Sequence, residues 1–390
     1  MHITSISMDA GGQGSIPDII RKQVECFAAL QQRVTAVSDY FGQSYPCESK
    51  ITIKPEIPRA CQFGDRIAMA GWNRLPRSNL KSLLRPKNFF REIYFPRTAN
   101  KWLTSNGRSG KFDCLLTNQC AIPPWLSGSS QALAVPSVFV EHGDVFTYGW
   151  SYFGLLTTAY YRWCMKKIFR SVDHLIVVNQ RAAEAAKARG VPGDRISIIP
   201  NGIDLEEVGS TIPKPVGQSG PFLNLLFVGE LVARKGVPEL LHALALLKGK
   251  PIFCRLAGVG RDEKKYHELA HALEIDSMVE FLGYVQRKNL GQYYAAADAF
   301  VLPSFAEGRP AAMLEAMACG LPVIASDIPG ISDTIRHGCE GLLVPPGNPN
   351  RLAEALNSVA SNPEMIESMG KFALRKAEDF SWKKVGGGSK

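Results

Sequence analysis

Two α/β units, each a doubly wound parallel sheet flanked by helices, are predicted for this chain from three observations. With 390 residues, 45% of them hydrophobic, the chain is too long for one ordinary core and suits two. Short apolar runs alternate with helix-length amphipathic stretches in both halves, the rhythm of parallel strands joined by helical crossovers. Between the halves, residues 206–222 collect Pro213, Pro215, Gly217, Gly220 and Pro221, a linker composition. The domains are therefore placed at 1–205 and 223–378. A short tail at 379–390 ends in Gly386-Gly387-Gly388-Ser389-Lys390, which reads as a flexible linker and is left out of the fold.

A first strand is expected over Ile3-Thr4-Ser5-Ile6-Ser7, followed by the loop Gly11-Gly12-Gln13-Gly14. Ile16, Ile19, Ile20, Val24, Phe27 and Leu30 then recur at helical spacing. A second strand covers 34–37. Residues 40–80 carry Pro, Gly and charge without periodicity and are read as irregular or inserted. Further strands are expected at 113–117, 137–141, 174–178 and 195–199, with helices near 88–106, 151–170 and 180–189. The second half restarts with a strand at 223–228 and continues as helix 237–248, strand 252–257, helix 262–274, strand 279–282 and helix 287–296. Strand 299–302, helix 310–318, strand 322–325 and helices 349–360 and 363–378 complete it.

No run approaches the roughly 18 to 20 apolar residues of a spanning helix, and residues 1–15 lack the regions of a signal peptide, so a cytoplasmic protein is expected. Nine cysteines without C-x-x-C pairs or His-rich spacing make neither structural zinc nor a disulfide framework. The net charge of +9 is uneven: residues 1–205 hold 25 Lys/Arg against 15 Asp/Glu, and residues 206–390 hold 20 against 21. Within 50–111 the count is 14 basic to three acidic, interleaved with Trp72, Phe89, Phe90, Tyr94, Phe95 and Trp102. One reading packs Leu83, Leu84, Phe89, Phe90, Ile93 and Tyr94 on the sheet with the charges solvated. The other docks the stretch on anionic lipid, peripheral to the membrane, at about 1 kcal/mol per basic residue near the surface.

The most informative stretch is Leu302-Pro303-Ser304-Phe305-Ala306-Glu307-Gly308-Arg309-Pro310-Ala311 and its continuation Ala312-Met313-Leu314-Glu315-Ala316-Met317-Ala318-Cys319-Gly320-Leu321-Pro322-Val323. Pro310 fits a first helical turn, Ala311 through Ala318 are helix formers, and Gly320 with Pro322 ends the helix. Glu307 thus sits in the loop at the helix start and Glu315 in the second turn. In an open parallel sheet this is the carboxyl end of a strand, where ligands bind and helix N–H groups receive phosphate. Carboxylates accept hydrogen bonds from vicinal hydroxyls, so two of them beside a phosphate cradle suit a sugar and a ribose. Two solvated helix carboxylates would be the ordinary reading of an arbitrary pair at this spacing.

The stretch resembles the E-x7-E motif of retaining glycosyltransferases of the two-domain GT-B fold, in the large sucrose-synthase-like, group 1 family. The likeness extends through Phe227-Val228-Gly229-Glu230-Leu231-Val232-Ala233-Arg234-Lys235-Gly236, Leu256-Ala257-Gly258-Val259-Gly260-Arg261, Phe281-Leu282-Gly283-Tyr284-Val285 and Glu340-Gly341-Leu342-Leu343-Val344-Pro345-Pro346-Gly347. It is close over 195–382 and covers the first half in outline. It implies that Glu307 holds hydroxyls of the donor sugar, Glu315 the ribose hydroxyls and Lys235 the diphosphate, a charge-assisted bond of about 1.5–3 kcal/mol. The donor site would also include Gly308, Arg309, Pro310 and Ala311, with Gly258 and Gly260 letting the backbone approach the nucleotide and Tyr284 and Val285 beside the base. The family usually has Arg where this chain has Glu230, and Arg234 is the candidate for the missing cation.

In the first half, Val140-Glu141-His142-Gly143-Asp144 resembles the family's strand-end histidine near the transferred sugar, which makes His142 a catalytic candidate. The loop holding Gly12 and Gly14 resembles the family's first glycine loop near the donor phosphates, although G-x-G-x-x-G is absent. Ile199-Pro200-Asn201-Gly202-Ile203-Asp204 resembles the segment at the domain junction. The resemblance implies a nucleoside-diphosphate sugar bound mainly by the second domain, a sugar or lipid-linked acceptor by the first, and closure that excludes water. No D-x-D motif appears, so neither an essential metal nor another cofactor is expected. The family's last helix usually runs back onto the first domain; here Phe380-Ser381-Trp382 is followed almost at once by glycines, and a shortened helix is expected. A sugar-nucleotide epimerase or hydrolase of the same fold is the alternative, recognised by turnover without acceptor. Nucleic acid is not an expected partner, because no recognition motif is present and the charge excess avoids the better-defined site.

Overall fold

The computed structural model of the chain describes residues 2–6, 33–38, 49–52, 113–118, 135–141, 155–205 and 222–386. Two compact units divide between Ile199 and Pro200. In the first, β1 (His2–Ile6), β2 (Arg33–Ser38), β3 (Ser49–Thr52), β4 (Cys114–Thr117), β5 (Ser137–Glu141), β6 (His174–Val177) and β7 (Ile196–Ile198) lie in the order β3-β2-β1-β4-β5-β6-β7. Every neighbouring pair is parallel. Helix α1 (Leu155–Ser171) joins β5 to β6, and α2 (Gln180–Lys187) joins β6 to β7. Asn179 caps α2 by accepting from the Ala182 N–H at 2.8 Å. Met165, Ile168 and Phe169 of α1 pack with Phe139, Leu175 and Val177 of the sheet and Ala182 and Ala186 of α2.

The expected helices at 16–30 and 88–106, the loop Gly11–Gly14, His142 and nearly all of the linker lie outside the described residues. One strand, β3, falls inside the stretch read as irregular. Its four residues, Ser49-Lys50-Ile51-Thr52, hold a single apolar side chain and so give no hydrophobic run.

The second unit holds β8 (Leu223–Val228), β9 (Ile252–Ala257), β10 (Val279–Gly283), β11 (Ala299–Leu302), β12 (Val323–Ser326) and β13 (Gly341–Val344), in the order β10-β9-β8-β11-β12-β13. All pairs are again parallel. Its helices are α3 (Val237–Ala245), α4 (Glu263–Ala272), α5 (Arg287–Ala296), α6 (Ala311–Ala318), α7 (Pro349–Ala360), α8 (Pro363–Ala377) and α9 (Trp382–Gly386). Strands β11 and β12 are buried at every residue, the signature of a parallel sheet covered on both faces. Helices α7 and α8 each open on an Asn cap followed by Pro: Asn348 accepts from Arg351 N–H and Asn362 from Met365 N–H, both at 3.1 Å. Pro310 caps α6 from outside, and the helix begins one residue later than expected. Strand β13, not anticipated, is a four-residue run opening on glycine that lies along β12 from Val323↔Gly341 to Ser326↔Val344.

From β8 the chain lays β9 and β10 on one side, then returns to lay β11, β12 and β13 on the other. The order reverses between β8 and β11, so the crevice outside their carboxyl ends is the natural ligand site of this sheet.

Residues 200–205, grouped by composition with the first half, pack with the second unit. Ile203 N–H donates to Phe380 O at 2.8 Å, and Trp382 N–H donates to Ile203 O at 3.1 Å. Ile203, 1% exposed, joins the second core. The Trp382 indole lies on Gly202, where a Cβ would collide with the ring. The short helix α9 follows directly, so part of the tail belongs to the fold. Trp382→Ala is expected to lower the stability of this unit by about 2 kcal/mol, read from chemical unfolding of the full chain.

Candidate active site

Two loops meet at the β8/β11 reversal. The loop after β8 makes a single 3₁₀ turn at Ala233–Lys235, and Phe305 N–H, from the loop after β11, donates to Arg234 O at 2.8 Å. This backbone bond brings the side chains of Arg234 and Lys235 to Glu307. Lys235 Nζ donates to Glu307 Oε1 at 2.7 Å, and Arg234 Nη1 lies 3.4 Å from Glu307 Oε2. Arg234 Nη1 also donates to Ala306 O at 2.6 Å, and Ser304 Oγ donates to Glu307 Oε1 at 2.7 Å. The Glu307 side chain is 6% exposed. Burial pushes its carboxyl up, but the charges of Lys235 and Arg234 and the donations from Lys235 and Ser304 outweigh burial and hold it below the usual carboxylate range.

Glu315 has a separate set of partners. Its side chain is 7% exposed, with Arg287 Nη2 at 2.9 Å from Oε1 and Tyr294 OH donating to Oε2 at 2.9 Å. Tyr294 is 1% exposed. Burial first, and the Glu315 charge second, push its hydroxyl well above the usual tyrosine value, so it stays protonated and donates. Sequence reasoning missed Arg287, Tyr294 and Ser304. The first two stand seven apart on α5, two helical turns and hence one face, which is the signal that could have paired them.

The remaining candidates divide. Gly258 and Gly260 are required by packing inside the unit: a Cβ at Gly258 would meet Gly229 O, and one at Gly260 would meet Leu231 O. Gly308 and Pro310 are buried beside Glu307, and Ala311 opens α6. Arg309 stacks its guanidinium 4.8 Å over the Phe380 ring; burial lowers its pKa against the opposing pull of Asp333. Tyr284, 50% exposed, and half-buried Val285 follow β10, two strands from β8. Glu230 is exposed just beyond the end of β8. Gly12, Gly14 and His142 lie outside the described residues, although Glu141, next to His142 in the chain, closes β5. Among the described residues no cluster of His, Cys, Asp or Glu could hold a metal ion, and no helix is long and apolar enough to cross a membrane.

Family models for glycosyl transferases group 1 and glycosyltransferase family 4 match residues 211–376 and 56–207 respectively. The second half of the chain thus carries the group 1 glycosyltransferase match. The chain is 29% identical over 233 residues to D-inositol 3-phosphate glycosyltransferase of Kribbella flavida, a match covering 56% of this chain and 55% of that protein. The chain thus spans about half the length of the curated relatives it matches. Among solved structures it is similar to sucrose-phosphate synthase from Thermosynechococcus elongatus, with a TM-score of 0.77 and 22% identity over 99% of this chain and 96% of the other. Anabaena HepE in complex with UDP-glucose gives 0.72 and 18% over 99% and 97%. These likenesses show the fold, GT-B with two Rossmann-like units.

A carboxyl held low in the folded protein contributes stability that is present above its unfolded value and lost as pH falls through the folded one. The stability difference between the parent and Glu307→Gln is therefore expected to be full at neutral pH. It should shrink below the ordinary glutamate value of 4.5 and vanish in stronger acid, in urea unfolding repeated across pH.

Proposed function

We propose that the chain transfers a sugar from a nucleoside-diphosphate sugar to an acceptor hydroxyl with retention of configuration and without an essential metal. The observation that carries this is the meeting of Lys235 and Arg234 on the buried Glu307 carboxylate at the β8/β11 reversal. A diphosphate entering the crevice takes over the two cations and leaves Glu307 to accept hydrogen bonds from the donor sugar. Arg234 then serves as the second cation that Glu230 cannot be. Glu315, fixed by Arg287 and Tyr294, receives the ribose hydroxyls, and Tyr284 and Val285 lie near the base. A neighbour of the same fold was solved with UDP-glucose, which supports a nucleotide-sugar donor.

In the reaction the bond between the anomeric carbon and the diphosphate oxygen breaks, and the acceptor oxygen bonds to that carbon on the same face. The acceptor's proton passes to the departing diphosphate, whose charge Lys235 and Arg234 neutralise. By the family resemblance, His142, Gly12 and Gly14 of the first half are further candidate residues for this reaction. The acceptor is a sugar, including a lipid-linked or cell-surface polysaccharide intermediate.

Two measurements test this reading. In a thermal-shift panel of UDP-, GDP- and ADP-sugars, one nucleotide class is expected to stabilise the protein, by about 2.7 kcal/mol at 100 times its dissociation constant; no shift from any of them defeats the donor assignment. Glu307→Ala and Lys235→Ala should each lower turnover of the stabilising donor by about 100-fold or more, and turnover within a few-fold of the parent would remove their roles.

A further inference from the structure

Helix α1 (Leu155–Ser171) contains no acidic residue in its 17 positions. Its inner face is spent on the core: Cys164, Met165 and Ile168 are 0% exposed and Phe169 is 8%. Arg162, Trp163, Lys166, Lys167 and Arg170 are all exposed. Their spacing of one, four, five and eight places them on one outer face of the helix. Among the described residues none of the four cations makes an ion pair. Trp163 is 42% exposed, with Lys167 Nζ 5.9 Å from its ring.

We infer that this face docks the protein on an anionic phospholipid surface. Four unpaired cations on one helix face concentrate charge of a single sign, and the first half of the chain carries the whole positive excess, 25 basic to 15 acidic residues against 20 to 21 in the rest. Long-range attraction therefore turns this half toward an anionic surface. The indole distinguishes lipid from other polyanions, because tryptophan favours the depth where headgroups meet acyl chains. The apolar side of α1 is buried in the unit and cannot insert. Docking is consequently shallow, reversible and salt-sensitive. The inference goes beyond the proposed reaction and stands whether or not the donor site is as assigned.

The full chain is tested by sedimentation with vesicles of phosphatidylcholine, alone or mixed with phosphatidylglycerol, across salt concentrations. Binding is expected to the mixed vesicles only and to weaken as salt rises. Each cation neutralised should lower partitioning about fivefold, so Arg162→Gln/Lys166→Gln/Lys167→Gln/Arg170→Gln loses binding by more than about 100-fold. Its unfolding transition should match the parent's. Trp163→Ala should weaken binding and keep the salt dependence. No binding of the parent to mixed vesicles, binding of the fourfold variant at parental strength, or displacement of the parent from vesicles by duplex DNA at equal phosphate concentration would each overturn the inference.

Discussion

The second unit is organised around one carboxylate. Glu307 is buried in a loop and would be costly to charge there without partners. Lys235 at 2.7 Å, Arg234 at 3.4 Å and Ser304 at 2.7 Å make the charged form the stable one. The same contacts fix the loops that carry them, because the cations come from the turn after β8 and the acid from the loop after β11. Removing one member of such a buried group costs about 3–5 kcal/mol, largely because the others are left uncompensated. Those loops can stand where the strand order reverses because their charges answer one another.

On the proposed function, that arrangement lets a site for an anion persist in a protein that must fold without it. Two adjacent cations with no counter-charge would repel each other and the low-dielectric surroundings. Glu307 supplies that counter-charge, and on the proposed function an incoming diphosphate competes for the same donors. Glu315 is held apart from it: Arg287 and Tyr294 reach it from α5, not from the turn after β8. The two glutamates of one motif are thus positioned by independent neighbours. A change near one need not disturb the other.

Much of the second unit was legible in the chain because its signals are local. Strands 252–257 and 299–302 and helices 287–296 and 349–360 fall where hydrophobic runs and periodicity put them. The strands β3 and β13 were not legible, since Ser49-Lys50-Ile51-Thr52 holds one apolar residue and Leu342-Leu343-Val344 is a three-residue run between a glycine and two prolines; their identity comes from pairing with β2 and β12. Glu307, Glu315 and Lys235 could be picked out by motif. Their partners could not, because Arg287 and Tyr294 reach Glu315 through the packing of α5 on α6, and Arg309 meets Phe380 from the far end of the unit's sequence. Gly258 and Gly260 show the converse: a glycine pattern read as room for a nucleotide is already accounted for by the backbone of Gly229 and Leu231.

The boundary at Ile199 shows how composition misleads where packing decides. Proline and glycine mark 206–222 as the linker, yet the chain joins the second unit before reaching it, because Ile203 is buried there and bonded on both sides to Phe380 and Trp382. The residues by which the chain enters this unit and those by which it finishes are therefore held against one another. Phe380 carries Arg309 on its ring, and Arg309 lies two residues beyond Glu307. The carboxylate at the reversal and the junction segment are in this way linked through two residues of chain, one cation and one aromatic ring.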